Sequence, residues 1–240
     1  MTTDISDLPL VILCGGRGSR LRPATDALPK ALIPVNGQPI VDYIVNFFST
    51  TGIREFHLCI GYRGDQIREH FADRHDSTDC FFSDSGGTAG ILERIYALRD
   101  NIADRFVVAY CDTFIDLDLV GLNAYHAETG ASITLVTAPI QSPLGLVGGG
   151  DTPRVKSFEE KPIQDYFIGC FVMERQVLDD LPEHLVKRPD GAGIVELFQK
   201  LVAEQELSAY RHDGLNITFN TNSERIHAER ELDSFFTLRE

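Results

Sequence analysis

Short, wholly apolar runs alternate along the chain with segments whose apolar residues recur at helical spacing. Leu10 to Cys14 (LVILC) is apolar throughout, the pattern of a strand covered on both faces. Ile40, Tyr43, Ile44, Phe47 and Phe48 then recur every three to four positions, predicting a helix that Gly52 ends. Glu55 to Ile60 predicts a second strand, Gly64 to Ala72 a short helix, and Cys80 to Ser83 a weaker strand. A helix is predicted from about Thr88 to Leu98, a buried strand over Arg105 to Tyr110, a helix over Leu119 to Thr129 and a strand over Ala131 to Ala138. This βαβαβ rhythm predicts an α/β fold, a largely parallel sheet with helices on both faces.

The pattern changes after Pro139. Gly145, Gly148, Gly149 and Gly150 interrupt the chain, and Arg154 to Glu159 and Phe167 to Met173 are extended without regular helices between them. They predict antiparallel strands forming a small cap beside the first sheet. Ile194 to Ala203 reads as a helix, Leu207 to Arg211 as a strand, and about Glu224 to Leu238 as a final helix. Thr221 and Glu224 have capping-box spacing there, and Ala228, Leu232, Phe235 and Phe236 form a stripe to bury. No internal repeat or linker divides the chain, so residues 1–240 are expected to form one unit.

Composition narrows the partners. The 240 residues carry 22 Lys and Arg against 36 Asp and Glu, a formal net charge of −14. Nucleic-acid binding normally needs a basic face, so this balance argues against it. No run approaches the ~18 apolar residues of a membrane span. Five unpatterned cysteines (Cys14, Cys59, Cys80, Cys111 and Cys170) suit buried thiols in a reducing compartment, and the cytoplasm is the expected location. A homo-oligomer stays open.

The segment Cys14 to Ile40, CGGRGSRLRPATDALPKALIPVNGQPI, holds the candidate chemistry. Gly15, Gly16 and Gly18 follow the first strand at its carboxyl end, where open α/β sheets bind ligands. Glycines there let successive N–H groups turn toward an anion. Arg20 adds a planar fork suited to phosphate oxygens, and Lys30, after Pro29, can bring a second cation. Taken alone, these residues also suit a plain connecting turn. The spacing matches neither the dinucleotide fingerprint nor the P-loop, which disfavours a nicotinamide-dependent oxidoreductase. Asn36-Gly37 predicts a tight turn, and His57 a structural histidine within its strand. Cys111, beside Asp112, predicts a small buried side chain rather than a nucleophile.

GGRGSRLRP followed by PKALIPVNGQPI resembles the signature of the sugar-1-phosphate nucleotidyltransferases, or nucleotide-sugar pyrophosphorylases. The likeness continues down nearly the whole chain. It runs through GIREFHLCIGYRGDQIREHF (Gly52 to Phe71), GGTAGIL (Gly86 to Leu92), YCDTFIDLD (Tyr110 to Asp118), FEEKP (Phe158 to Pro162) and FNTNSERIHAE (Phe219 to Glu229). The first of these segments, Gly52 to Phe71, is similar to the glucose-1-phosphate cytidylyltransferase branch.

The resemblance implies a Rossmann-like, mixed but mostly parallel sheet. About 1–138 would be the nucleotide-binding part, and about 139–240 the sugar-phosphate-binding part, with its antiparallel cap, and the C-terminal helix. It implies that Leu13, Gly15, Gly16, Gly18 and Ser19 hold a nucleoside triphosphate, with Arg20 on its β- and γ-phosphates. Lys30 would lie on the α-phosphate, and Gly87 and Thr88 against the base. Asp112 would bind Mg²⁺, Glu160 the sugar hydroxyls and Lys161 the sugar phosphate, while Gly145 and Gly169 admit the sugar. Arg20, Lys30, Asp112 and Lys161 would be the catalytic set. Two positions depart from the pattern. Asn220 stands where the family places a second metal-binding aspartate, and Phe167 stands where related chains often carry a polar residue.

The implied reaction is nucleotidyl transfer from a triphosphate, CTP first, to a sugar 1-phosphate. Guanylyl, uridylyl or thymidylyl transfer, to mannose or heptose 1-phosphate among others, is the alternative within the class. A catalytically weak nucleotide-sugar-binding module is the alternative outside it. Read from residue type alone, Asp112 also suits a helix cap, and Glu160 with Lys161 a solvated ion pair.

Overall fold

The computed structural model describes residues 5–72, 78–149 and 153–237. Gly150 and Leu238, named above, lie outside the described residues. The first part of the chain builds β1 (Leu10–Leu13), α1 (Ala24–Ala27), β2 (Pro34–Val35), β3 (Gln38–Pro39), α2 (Ile40–Thr50), β4 (Glu55–Ile60) and α3 (Gly64–Ala72). There follow β5 (Asp79–Asp84), α4 (Ile91–Tyr96), β6 (Arg105–Tyr110), β7 (Thr113–Ile115), α5 (Leu119–Thr129) and β8 (Ile133–Gln141). The remainder is β9 (Leu146–Gly148), β10 (Ser157–Glu159), β11 (Ile163–Glu174), α6 (Glu183–Val186), α7 (Ala192–Ala203), β12 (Leu207–Arg211), β13 (Asn216–Thr218) and α8 (Asn222–Thr237).

Among the described residues, seven strands form one sheet in the order β12-β8-β11-β6-β1-β4-β5. β6, β1, β4 and β5 pair in parallel, as do β8 and β12. Only β11 runs antiparallel to its neighbours, β6 and β8. The sheet is therefore mixed and mostly parallel, as the alternation of apolar runs predicts.

Period-two alternation sends neighbouring residues of a buried strand to opposite faces. Leu10 and Ile12 join the core beneath α2, α5 and α8, while Val11 and Leu13 join the core beneath α4, α6 and α7. Phe56, Phe106, Phe114 and Phe171 are fully buried, each contributing about 1.5–3 kcal/mol from its removal from water.

Three expectations need correction. Phe167 to Met173 does not belong to a cap, because it lies inside β11, at the centre of the main sheet. Its outer half, from Ile163 to Phe167, is exposed and pairs with β8. Gly169, in the left-handed region at φ 79°, accompanies a register shift between Phe167 and Phe171. The antiparallel cap is the small ribbon of β9 and β10, and Ser157 rather than Arg154 begins its second strand. The helix placed from Thr88 starts at Ile91, after Gly90, whose missing Cβ leaves room for the Arg188 carbonyl. Asn36-Gly37 is the predicted tight turn, with both residues at positive φ between β2 and β3. No helix among the described residues is long and apolar enough to cross a membrane.

Candidate active site

The carboxyl ends of β1, β4 and β6 lie side by side, because the three strands are parallel neighbours. The loops leaving them form one rim. After β1 the chain passes through Gly15 and Gly16 to Gly18, held at φ 58°. A Cβ on Gly18 would crowd Thr25 and Lys30 at 3.0 and 3.1 Å, so both conformation and space call for glycine. The Gly18 carbonyl accepts the Thr25 hydroxyl at 2.9 Å, folding the loop back onto itself. Pro29 enters a single 3₁₀ turn over Lys30–Leu32 that buries Ala31 and Leu32 and points Lys30 inward.

Lys30 is 9% exposed. Its ammonium donates to Asp112 Oδ2 at 2.5 Å and to Asn220 Oδ1 at 3.0 Å, and lies 5.9 Å from the centre of the Phe219 ring. Arg20 Nη2 donates to the same Asn220 oxygen at 2.7 Å. Asn220 arrives through a pairing too short to read from periodicity. β13 runs antiparallel to β7, the Phe219 N–H donates to the Asp112 carbonyl at 3.2 Å, and the Thr113 and Thr218 hydroxyls meet at 2.6 Å. The helix cap then fixes the asparagine. Thr221 Oγ1 accepts the Glu224 N–H at 3.3 Å as predicted, but the Glu224 carboxylate accepts from the Asn220 N–H at 2.6 Å, one residue before the expected partner.

These residues border a cavity of about 320 Å³ lined by Leu13, Gly15, Gly16, Gly18, Arg20, Lys30, Ala89, Ile91, Arg94, Tyr110, Cys111, Asp112, Asp190 and Gly191. Three cations, Arg20, Lys30 and Arg94, line it against two carboxylates, Asp112 and Asp190, so the group favours an anionic guest. Burial, with Asp112 adding to it, pushes the Tyr110 hydroxyl up to about 12. The Cys14 thiol is raised well above its usual range by its hydrogen bond to Cys111 and by burial. Cys111 is buried, as expected of a packing residue.

The structure thus brings together Leu13, Gly15, Gly16, Gly18, Arg20, Lys30, Asp112 and Asn220. Ser19 is exposed on the adjacent 3₁₀ turn. Gly87 and Thr88 lie on the loop that sends Ala89 to the cavity. Gly169 packs against the Tyr110 ring, where a Cβ would come within 3.2 Å. Gly145, Glu160 and Lys161 sit apart, on the exposed ribbon and its exit. A Cβ on Gly145 would meet the Phe158 ring at 2.8 Å and the Glu160 carboxylate at 3.3 Å. Lys161 holds a left-handed φ of 49°, and its carbonyl accepts from the Gln141 side chain at 3.3 Å. Glu160 and Lys161 form no ion pair with each other. His57 is structural, its Nε2 donating to the Glu55 carboxylate at 2.5 Å and its ring stacking on Phe81.

Asp112 Oδ2 and Asn220 Oδ1 converge on one point, now taken by the Lys30 ammonium. Hard oxygens of this kind fit Mg²⁺, which takes one or two protein ligands and completes its shell from phosphate and water. Among the described residues, no group of three or more His, Cys, Asp or Glu side chains could hold a metal on its own.

Sequence reasoning passed over Arg94. It is 4% exposed, sits on α4, and donates to the carbonyls of Ile60 at 2.6 Å, Gly86 at 2.7 Å and Gly15 at 3.2 Å. Burial lowers its pKa, yet an arginine stays charged in proteins. The available signal was its helical spacing with Ile91 and Leu98, which places a cation on the inward stripe.

Residues 10–215 match the nucleotidyl transferase family. The chain is 30% identical over 250 residues to the glucose-1-phosphate cytidylyltransferase of Salmonella typhimurium, covering 91% of this chain and 93% of that one. It is 28% identical over 176 residues to the D-glycero-alpha-D-manno-heptose 1-phosphate guanylyltransferase of Campylobacter jejuni, covering 71% and 77% of the two chains. In fold it is similar to the crystal structure of HddC from Yersinia pseudotuberculosis complexed with GMP-PN, with a TM-score of 0.73, 17% identity, and coverage of 94% and 99%. The chain belongs to the nucleotidyl transferase family and is an enzyme of that class.

Proposed function

We propose that this chain transfers a cytidylyl group from CTP to a sugar 1-phosphate in the cytoplasm, with Mg²⁺, releasing pyrophosphate. The observation that carries the reading is the meeting of Arg20 and Lys30 with Asp112 and Asn220 beside a glycine-walled cavity at the sheet's carboxyl edge. The likeness to a cytidylyltransferase over 91% of the chain supports the choice of base. The five free thiols support a reducing compartment.

In the reaction a phosphate oxygen of the sugar 1-phosphate attacks the α-phosphorus in line. The new O–P bond forms as the bond to the bridging α–β oxygen breaks, and pyrophosphate leaves with that electron pair. The attacking group is already an anion near neutral pH, so no general base is required. The obstacle is bringing two polyanions together, which positioning and preorganised charge overcome. Arg20 clamps the outer phosphates, and Lys30 turns its ammonium from the Asp112–Asn220 pair to the α-phosphate. Lys161 holds the sugar phosphate and Glu160 accepts from sugar hydroxyls, both from the ribbon side. Asp112 and Asn220 would hold Mg²⁺, which when bound would supply further neutralisation of phosphate charge.

Guanylyl transfer is the second reading, favoured by the likeness to the heptose 1-phosphate guanylyltransferase. Pyrophosphate release across CTP, UTP, GTP and dTTP, each paired with glucose, mannose and heptose 1-phosphates, tests both. Fastest turnover with CTP supports the proposal, and fastest turnover with GTP replaces it with the second reading. Nucleotide binding without release in any pair marks a binding module.

A further inference from the structure

Gly15 and Gly61 are not at positive φ, so backbone conformation does not explain why they are glycines. Space does. A Cβ on Gly15 would lie 1.9 Å from Arg94 Nη1 and 2.2 Å from Cζ, and one on Gly61 would lie 2.7 Å from Nη1. The guanidinium, joined at Gly61 by the Gly86 carbonyl at 2.5 Å, occupies the volume those side chains would need. From there it ties together three segments remote in sequence, at Gly15, Ile60 and Gly86. It forms no ion pair with a described carboxylate. Asp84 and Glu93 act on it through their fields where it lines the cavity.

The consequence follows from the planarity of the trans peptide. Within one peptide unit the C=O and the next residue's N–H point in opposite directions. A carbonyl of Gly15 turned onto Arg94 sends the Gly16 N–H away from it, and a carbonyl of Gly86 does the same for the Gly87 N–H. Among the described residues neither N–H has a protein acceptor. The Gly15 carbonyl is tied a second time, accepting the Tyr62 N–H at 3.1 Å, so its plane is firmly set.

We propose that Arg94 is a positioning residue for the nucleotide: by pinning the Gly15 and Gly86 carbonyls it aims the unpaired Gly16 and Gly87 N–H groups at acceptors on the nucleoside triphosphate. The inference rests on the transferase reading and assigns part of its specificity. Arg94 need not touch the guest. Its fork reaches three carbonyls at once, which a lysine ammonium on a single stem does not reproduce.

Calorimetric titration of the full chain with CTP, UTP, GTP and dTTP, followed by steady-state kinetics, tests this. Arg94→Ala and Arg94→Lys should each weaken nucleotide binding roughly 10–100-fold, the scale for hydrogen bonds to a charged group. The KM for the sugar 1-phosphate should stay within about threefold, a split that general loosening of the fold would not give. Gly15→Ala should reproduce the nucleotide defect by displacing the guanidinium. The double variant Gly15→Ala/Arg94→Ala should be no worse than either single change, the non-additivity of two residues acting as one.

Unchanged nucleotide affinity in the Arg94 variants overturns the proposal, as do equal losses for both substrates or additive effects in the double variant. A lysine variant equal to wild type also overturns it, since that would make Arg94 a simple charge. If Arg94→Ala does not fold by thermal melting, Arg94→Lys, which keeps a cation there, and Gly15→Ala, which keeps the arginine but displaces it, decide the outcome. Wild-type protein that binds none of the triphosphates refutes the transferase reading itself, whereas binding by wild type and variants alike refutes only the role of Arg94.

Discussion

The Lys30 ammonium and the Asp112 carboxylate meet at 2.5 Å although 82 positions separate them in the chain. Their side chains are only 11% and 19% exposed, so the pair is shielded from solvent screening. Asp112 is thus the acid that restrains Lys30, and it is an oxygen donor suited to a divalent ion. Asp112→Asn removes that charge while keeping the shape. Pyrophosphate release should fall by roughly 10²–10³, the scale for one preorganised electrostatic contact. Turnover close to wild type would remove Asp112 from the site.

Asn220 contributes an oxygen without a charge. Its carbonyl serves Arg20 and Lys30 simultaneously, so the position tolerates a stronger acceptor. Asn220→Asp should lower the Mg²⁺ concentration needed for half-maximal activity, because an added carboxylate strengthens a hard-cation site. Direct titration of the nucleotide-loaded protein with Mn²⁺, read by electron paramagnetic resonance, should show tighter binding. Identical metal curves for the two proteins would place Asn220 outside the coordination shell.

Lys161 stands on the ribbon side, exposed, with no described carboxylate holding it. Lys161→Ala should raise the KM for sugar 1-phosphate roughly 10–100-fold through loss of a charge-assisted contact, and leave nucleotide affinity in place. This is the mirror image of the Arg94 pattern. A loss confined to nucleotide binding would assign Lys161 to the other substrate.

Away from the cavity, His126 is buried between the Thr134 hydroxyl at Nδ1, 2.6 Å away, and the Glu174 carboxylate at Nε2, 3.1 Å away. A neutral imidazole that donates from Nε2 and accepts at Nδ1 satisfies both. Burial, with Arg105 alongside, lowers its pKa from the ordinary 6.5, while Glu174 opposes the shift. Below that ordinary value the unfolded chain therefore binds a proton that the folded state resists. The contribution is fully present above it and is lost as pH falls through and below it. Thermal melting should decline more steeply between about pH 7 and about pH 5 for wild type than for His126→Gln. Parallel slopes would exclude His126 as the source.

Legibility in the sequence tracked burial and length. Runs such as Leu10–Leu13 and Arg105–Tyr110 are buried on both faces, so continuous apolarity exposed them as strands. β11 was misplaced because its first five residues are exposed and Gly169 resembles a breaker, although the same strand then enters the core. The three-residue strands β7 and β13 have no room for a period, so the step that carries Asn220 to Asp112 was invisible. The Gly15-to-Arg20 loop was legible through its glycines. The reason for Gly15 was not, because it depends on a guanidinium 79 positions away.

β11 also limits how the enzyme can move. Its inner half is bonded on both sides, to β6 and β8, and its outer half continues toward the ribbon side through the crease at Gly169. The core of the main sheet and the arm toward the ribbon therefore share one continuous strand. Two rigid lobes swinging about a linker are incompatible with that connection. The inner half of the strand, bonded on both sides, is anchored in the sheet, while the arm beyond the crease is held, among the described residues, on one side alone.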